Sequence, residues 1–261
     1  MNRVLSGRTV LVTRPAHQAA ELAGMIEARG GVAYGFPALE VAAVHTDRLA
    51  AALAQLPDYD SLIFISPNAA RLGMAAIRGV GKTLPTIQML AVGSGTAQAL
   101  VPFGVKAIEP AGQQDSEALL ALPQLQNVAG KHIGIVRGIG GRTLLGDTLV
   151  ARGAKVTYLE CYRRARPQVD AAPLLMCWQA GGIDAVTVTS AETLHNLAAL
   201  LGEVGLPLLQ HTPIFAPHEK IADAALRFGV AQVIATPGGD AGLVEGLVNW
   251  FKHQRGRTHH E

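Results

Sequence analysis

Two stretches of this chain begin alike, 123 residues apart. Gly7-Arg-Thr-Val-Leu-Val-Thr-Arg14 is matched by Gly130-Lys-His-Ile-Gly-Ile-Val-Arg137, and Arg29-Gly30-Gly31 by Arg152-Gly153-Ala154 at the same offset. Later elements repeat almost in step: Ser66, closing Ile63–Ser66, returns as Ser190, 124 residues on, and Phe103-Gly-Val105 returns as Phe228-Gly-Val230, 125 residues on. A near-constant offset over several elements marks an internal duplication of strand–helix units. It restricts the fold sharply, because short apolar strands alternating with helices build parallel sheets with helices on both faces. We therefore expect an α/β fold of two lobes, each a parallel sheet flanked by helices, joined by a two-stranded β linker.

Local signals place the elements. A helix from His17 to Arg29 opens after Pro15 and closes at Gly30-Gly31, a C-cap signal. Val32–Val44 reads as a strand interrupted by Pro37, followed by a helix around Asp47–Gln55 and a buried strand over Tyr59–Ser66. Ser66 followed by Pro67 is an N-cap with proline at N1, opening a helix to about Ile77. Met89–Gly93 reads as a strand, Gly93-Ser-Gly-Thr96 turns into a helix, Val105–Glu109 reads as a further strand, and Asp115-Ser116-Glu117 caps the next helix. Where the lobes divide is open on the residues alone. A cut near residue 125 gives two halves. Alternatively the chain crosses between lobes along Val32–Val41 and Val156–Pro167, pairing these side by side. Tyr162 would then project from the hinge into a cleft.

Composition removes several classes. The 261 residues suit two domains, and 22 Lys and Arg against 20 Asp and Glu give no field for general nucleic-acid or membrane-surface binding. Cys161 and Cys177 are too few for a disulfide framework and fit a reducing compartment. Cys161, in a strand, reads as a buried structural thiol. The start shows no secretory pattern and no run of about 18 apolar residues occurs, so a cytoplasmic protein with no membrane partner is expected. The tail Gln254–Glu261 is polar and is expected to fray.

The chemistry-bearing pattern is a strand end that enters a helix start. It occurs at Thr13-Arg14-Pro15, Ser66-Pro67-Asn68, Gly93-Ser94-Gly95-Thr96, Arg137-Gly138, Thr189-Ser190, Ala216-Pro217-His218 and Thr236-Pro237-Gly238. In open α/β sheets such ends line the ligand crevice. Helix N-termini present free N–H groups and partial positive charge, and so hold carboxylates or phosphates. Each could equally be only a cap; the set suits a ligand with many negative groups. Arg137 and Arg142, in Arg-Gly-Ile-Gly-Gly-Arg, could grip carboxylates bidentately or form a solvated turn. Gly93–Gln98 resembles part of a dinucleotide fingerprint but lacks its third glycine. No phosphate-binding P-loop or zinc spacing is seen, and His45, His132, His195, His211 and His218 are scattered. No metal or cofactor is expected.

Taken together, several stretches resemble the uroporphyrinogen-III synthase family. They are Val12-Thr-Arg-Pro15, Phe64-Ile-Ser-Pro-Asn-Ala69, Ala91-Val-Gly-Ser-Gly-Thr-Ala97, Arg137–Arg142 with Leu144 and Leu149, Tyr162-Arg163, Thr189-Ser190 and Pro217-His-Glu-Lys-Ile-Ala222. The chain departs from the family pattern at Lys220, where arginine is common, and at Ile65, where threonine is. The resemblance implies the crossed lobe arrangement, with domain 1 formed by residues 1–36 and 166–261, domain 2 by 45–155, and linkers at 37–44 and 156–165. It implies closure of hydroxymethylbilane with inversion of its last ring, without cofactor, through a spiro-pyrrolenine formed after the terminal hydroxyl leaves. Tyr162 falls where the family's tyrosine assists that departure. Substrate contacts are expected from Thr13, Arg14, Ser66, Asn68, Gly93, Ser94, Thr96, Arg137, Gly138, Arg142, Thr189, Ser190, His218 and Lys220. A monomer is expected, with no nucleic-acid partner. A non-catalytic two-lobed binding module and a nucleotide-dependent enzyme at Gly93–Thr96 are the alternatives.

Overall fold

A computed structural model describes residues 3–81 and 87–257; the end of the polar tail lies outside them. Along the chain run β1 (Thr9–Val12), α1 (Ala16–Ala28), β2 (Val32–Gly35), β3 (Glu40–Ala43), α2 (Asp47–Ala54), β4 (Ser61–Phe64), α3 (Pro67–Gly79), β5 (Gln88–Ala91), α4 (Ser94–Leu100) and α5 (Ser116–Leu120). Then come β6 (His132–Gly138), α6 (Leu144–Ala151), β7 (Lys155–Ala165), α7 (Ala172–Gln179), β8 (Ala185–Thr187), α8 (Ala191–His211), β9 (Ile214–Ala216), α9 (Glu219–Arg227), β10 (Val233–Ala235) and α10 (Gly239–Arg257). Two units form. One takes the chain up to Glu40 and again from Ala165; the other is Val41–Arg164.

The first unit holds a parallel sheet of order β10-β9-β8-β1-β2. Alternation along β1 feeds two cores. Leu11 packs with Leu174, Trp178 and Leu194 from α7 and α8, while Val10 and Val12 pack with Leu22 and Ile26 from α1 and Leu243 and Leu247 from α10. Burial on both faces is why the strand reads as an unbroken apolar run. Helix α1 ends as its glycines dictate. Gly30, at φ 87°, bonds back to Glu27 O at 2.8 Å, and Gly31 to Ile26 O at 3.2 Å.

The second unit holds a sheet of order β3-β7-β6-β4-β5, in which β7, β6, β4 and β5 run parallel. Leu62, Phe64, Val136 and Leu159 pack under α2, α3 and α4; Ile63, Ile133 and Ile135 pack under α5 and α6. Phe64 is fully buried, a contribution of about 1.5–3 kcal/mol from one side chain.

Three expectations change in detail. Val32–Val44 is two strands, not one. Phe36 and Ala38 donate to Val12 and Thr13 carbonyls, both at 3.0 Å, so the chain follows β1 past Pro37 before Glu40–Ala43 joins β7 in the other sheet. Thus Val32–Gly35 pairs with β1 rather than with Val156–Pro167. Val105–Glu109 forms only a bridge between Leu90 and Ile108, because Pro110 stops further pairing. No helix starts at Arg137-Gly138. Strand β6 continues to Gly138, and a loop with Gly140 and Gly141 at φ 77° and 95° delays α6 to Leu144.

Among the described residues no helix is long and apolar enough to cross a membrane. At the amino end of the second sheet, buried His132 packs tilted against Tyr59, with centroids 4.4 Å apart and planes at 54°, and bonds Thr157 Oγ1 at 2.9 Å. Burial, then the charge of Lys155, holds its pKa below 6.5 against the opposing pull of Asp58 and Asp60; Lys131 neighbours the same cluster, paired to Asp60 at 3.0 Å. Below about pH 6.5 the unfolded chain takes up a proton that the folded one refuses, so native stability falls with pH in that window and is unaffected above it. We expect thermal melts between pH 7.5 and 5 to show this fall, and His132→Gln to make it shallower.

Candidate active site

The strand ends singled out above lie at the carboxyl edge of a parallel sheet in each unit. The edge of the second unit is the richer. Ser66, extended at φ −166° and ψ 160°, caps α3; its Oγ accepts from the Ala69 N–H at 3.0 Å, and Pro67 occupies N1. The same Oγ lies 3.1 Å from the hydroxyl of Tyr162.

Tyr162 reaches that position through a bulge. Arg137 pairs with Glu160, but Gly138 pairs with Tyr162, so Cys161 is skipped. A bulge breaks the two-residue alternation and re-aims the side chain beyond it. Leu159, Cys161 and Tyr162 consequently pack in one core, and Tyr162 is only 4% exposed. Its ring lies on the backbone of Gly138, where a Cβ would stand 2.6 Å from Cε2. The residue lies three positions before the end of β7 and also lines a pocket of the second unit. Cys161 donates to Arg137 O at 3.4 Å, and burial pushes its thiol up to about 12, which keeps it neutral and unreactive.

Arg137 is 4% exposed. Its Nε donates to Gly138 O at 3.2 Å and Nη1 to Arg142 O at 3.3 Å. Among the described residues no carboxylate pairs with it and Nη2 has no acceptor. It lines a pocket of about 390 Å³ together with Arg142, Tyr162, Gly138 and Tyr158. A buried cation without a counter-ion is costly, so such a site calls for an anion. Nearby, Asn68 Oδ1 accepts from Arg71 at 2.6 Å. Gly93 is extended, and Gln114 occupies the place of a Cβ while donating to Ser94 Oγ at 2.8 Å. That packing accounts for the glycine without a nucleotide. Thr96 is buried in the first turn of α4.

In the first unit two candidates are engaged internally. Thr13 Oγ1 donates to Thr187 O at 2.6 Å while Thr187 Oγ1 donates to Leu11 O at 3.1 Å, a reciprocal clasp between β1 and β8. Arg14 pairs with Asp240 at 2.5 Å. Their side chains hold structure; the sequence shows the strand end but not these partners. Ser190 caps α8, accepting from Thr193 N at 3.0 Å, with Thr189 half-buried before it. His218 and Lys220 are exposed at the start of α9, and His218 makes no cap bond. Side-chain capping therefore occurs at Ser66 and Ser190, not at all seven ends. Sequence reading missed Tyr158 and Gln114. Tyr158 packs with the opposite core from Tyr162, since the bulge reverses the parity between them, so spacing gave no signal; Gln114 sits in a loop and offered none.

A parallel α/β sheet whose carboxyl edge carries a tyrosine–serine pair, a buried unpaired arginine and capped helix starts defines an anion-handling α/β enzyme. A sequence model for the family described as uroporphyrinogen-III synthase HemD matches residues 20–245. Uroporphyrinogen-III synthase of Escherichia coli (strain K12) is 38% identical over 225 residues, 85% of this chain and 92% of that protein. That of Salmonella typhimurium is 40% identical over 195 residues, covering 74% and 79%. The chain belongs to the uroporphyrinogen-III synthase family, cyclising lyases of tetrapyrrole biosynthesis. Crystal structures of the synthases from Thermus thermophilus (TM-score 0.62, 21% identity, covering 95% of this chain and 100% of that one) and Helicobacter pylori 26695 (0.60, 14%, 93% and 99%) share the fold.

Proposed function

We propose that this chain closes hydroxymethylbilane to uroporphyrinogen III, inverting ring D and releasing the terminal hydroxyl as water. The observation that carries the reading is Arg137, buried beside Tyr162 with no acid of its own. A carboxylate of the substrate supplies the missing partner, accepting from Nη2.

Tyr162 is the proton donor to the departing hydroxyl. Ser66 can donate to the phenolic oxygen, which leaves the Tyr162 proton directed to the substrate and supports the phenolate once it forms. The α3 N-terminus adds favourable potential at the same point. Arg142, the N–H groups of Gly93 and Ser94, and the side chain of Asn68 are assigned to carboxylate binding, as are Thr189, Ser190, His218 and Lys220 on the other sheet edge; the Thr96 N–H is held by the Gly93 carbonyl at 3.0 Å, so Thr96 shapes the turn instead. Thr13 and Arg14 contribute backbone and scaffold. Cyclisation is chemically easy, so the protein's work is choosing the product. A difference of about 1.4 kcal/mol shifts a product ratio tenfold. Holding the chain ends folded is enough to favour the inverted ring.

The test is to give the purified protein hydroxymethylbilane and identify the isomer. Uroporphyrinogen III is expected; the uninverted isomer alone would refute the reading. Ser66→Ala gives a graded check. It removes the cap acceptor, about 1 kcal/mol of helix stability, and the partner of Tyr162. We expect kcat to drop about tenfold with a modest loss in melting temperature.

A further inference from the structure

Arginine side chains are long and flexible, and a guanidinium that must meet an anion in one geometry needs something to hold it. Backbone carbonyls of Gly138 and Arg142 accept from Nε and Nη1 of Arg137 at 3.2 and 3.3 Å. Its Cζ sits over the ring of Tyr158, 4.9 Å from the centroid. The two residues sit on neighbouring strands; Tyr158 pairs with Ile135, two residues before Arg137.

The far end of that ring meets α6. A Cβ on Gly146 would fall on the Tyr158 hydroxyl and stand 2.8 Å from its Cζ. Gly146 is buried within the helix, where glycine is a poor helix former and alanine the best. Its glycine is accounted for by the space the tyrosine occupies. Gly141, at φ 95°, completes the seat, since a Cβ there would lie 2.8 Å from Nη2. Tyr158, Gly146, Gly141 and Arg137 all line the pocket that holds Tyr162.

We propose that Tyr158 is the positioning residue of this site: its ring is a shelf that fixes the Arg137 guanidinium before the substrate arrives, and Gly146 is the notch in α6 that lets the shelf lie flat. Stacking on an aromatic face is a property of the planar guanidinium. Fixing it in advance removes ordering that would otherwise oppose binding. The proposal rests on the reading that Arg137 receives a substrate carboxylate.

Steady-state kinetics on hydroxymethylbilane would use the full chain with Tyr158→Leu, Tyr158→Phe, Gly146→Ala and Arg137→Gln. Tyr158→Leu and Gly146→Ala are expected to raise KM about tenfold with kcat within about twofold. Tyr158→Phe, which keeps the ring, is expected to return KM to near the wild-type value. The double variant Tyr158→Leu with Arg137→Gln should be no worse than Arg137→Gln alone, because both act on one group. An unchanged KM in Tyr158→Leu, equal effects of Phe and Leu, or full additivity in the double variant would overturn the proposal. A second measurement judges it apart from binding. The Arg137 Nε–H resonance, assigned by its absence in Arg137→Gln, should carry a ring-current shift that Tyr158→Leu abolishes and Tyr158→Phe retains. If Arg137→Gln leaves KM unchanged, the carboxylate reading fails while that resonance still decides the role of Tyr158. Gly146→Ala forces a methyl against the ring at a buried position and is expected to lower the melting temperature as well; Tyr158→Phe, which keeps the ring and removes only the hydroxyl, is the variant that guards against loss of fold.

Discussion

Tyr162→Phe lowers kcat by about 10²- to 10³-fold, the range for a positioned general acid, while KM stays within about twofold. The substitution deletes one hydroxyl and nothing else. The ring still lies on Gly138 and still fills the core with Leu159 and Cys161. Ser66 keeps its bond from the Ala69 N–H and goes on capping α3. The lost hydrogen bond costs only about 0.5–1.5 kcal/mol of stability. Quenched-time assays of hydroxymethylbilane consumption, with isomer analysis and a thermal melt on the same preparation, check all three quantities. Wild-type kcat in the phenylalanine variant would remove Tyr162 from the chemistry and leave it a packing residue.

Arg137→Gln raises KM by about ten- to a hundredfold. A hydrogen bond to a charged group is worth roughly 1.5–3 kcal/mol, and about 1.4 kcal/mol is a factor of ten. The accompanying stability change separates two roles. An arginine retained to hold the fold would leave a destabilised protein when removed. An arginine buried without an acid already stands at a cost, which glutamine relieves while still reaching the Gly138 carbonyl. The melting temperature should therefore hold or rise as binding weakens. Arg142→Gln makes the comparison, since that side chain is exposed and its charge is screened. A fall in melting temperature without a rise in KM would assign Arg137 to the scaffold.

Much of the architecture was legible because it is periodic. The apolar runs Val10–Val12 and Leu62–Phe64 are buried on both sides, so each announced a strand under two layers of helix. Gly30, Ser66, Asp115 and Ser190 marked helix ends through local hydrogen bonding that needs no tertiary information. The strand orders β2-β1-β8-β9-β10 and β7-β6-β4-β5 run alike, which together with the 123-residue offset supports the duplication we propose. Pro110 and the Gly140-Gly141 loop were local and visible; the other misses depend on distant parts of the chain. Nothing near Thr13 tells that its hydroxyl meets Thr187, nor near Arg14 that Asp240 awaits it. The bulge at Cys161 is a property of two strands in register, and it alone decides that Tyr162 faces Ser66. Pro37 was visible, but it divides two strands that enter different sheets, which one strand's pattern cannot express.

The position of β1 has a consequence for synthesis. It lies between β2 and β8, so its second neighbour, Ala185–Thr187, emerges from the ribosome long after it. The segment Val41–Arg164 is complete by then and has all its own strands. Nascent chains halted shortly after Arg164 leaves the exit tunnel should therefore carry one protease-resistant core, while the opening forty or so residues stay digestible until translation has passed β8 and the strands beyond it.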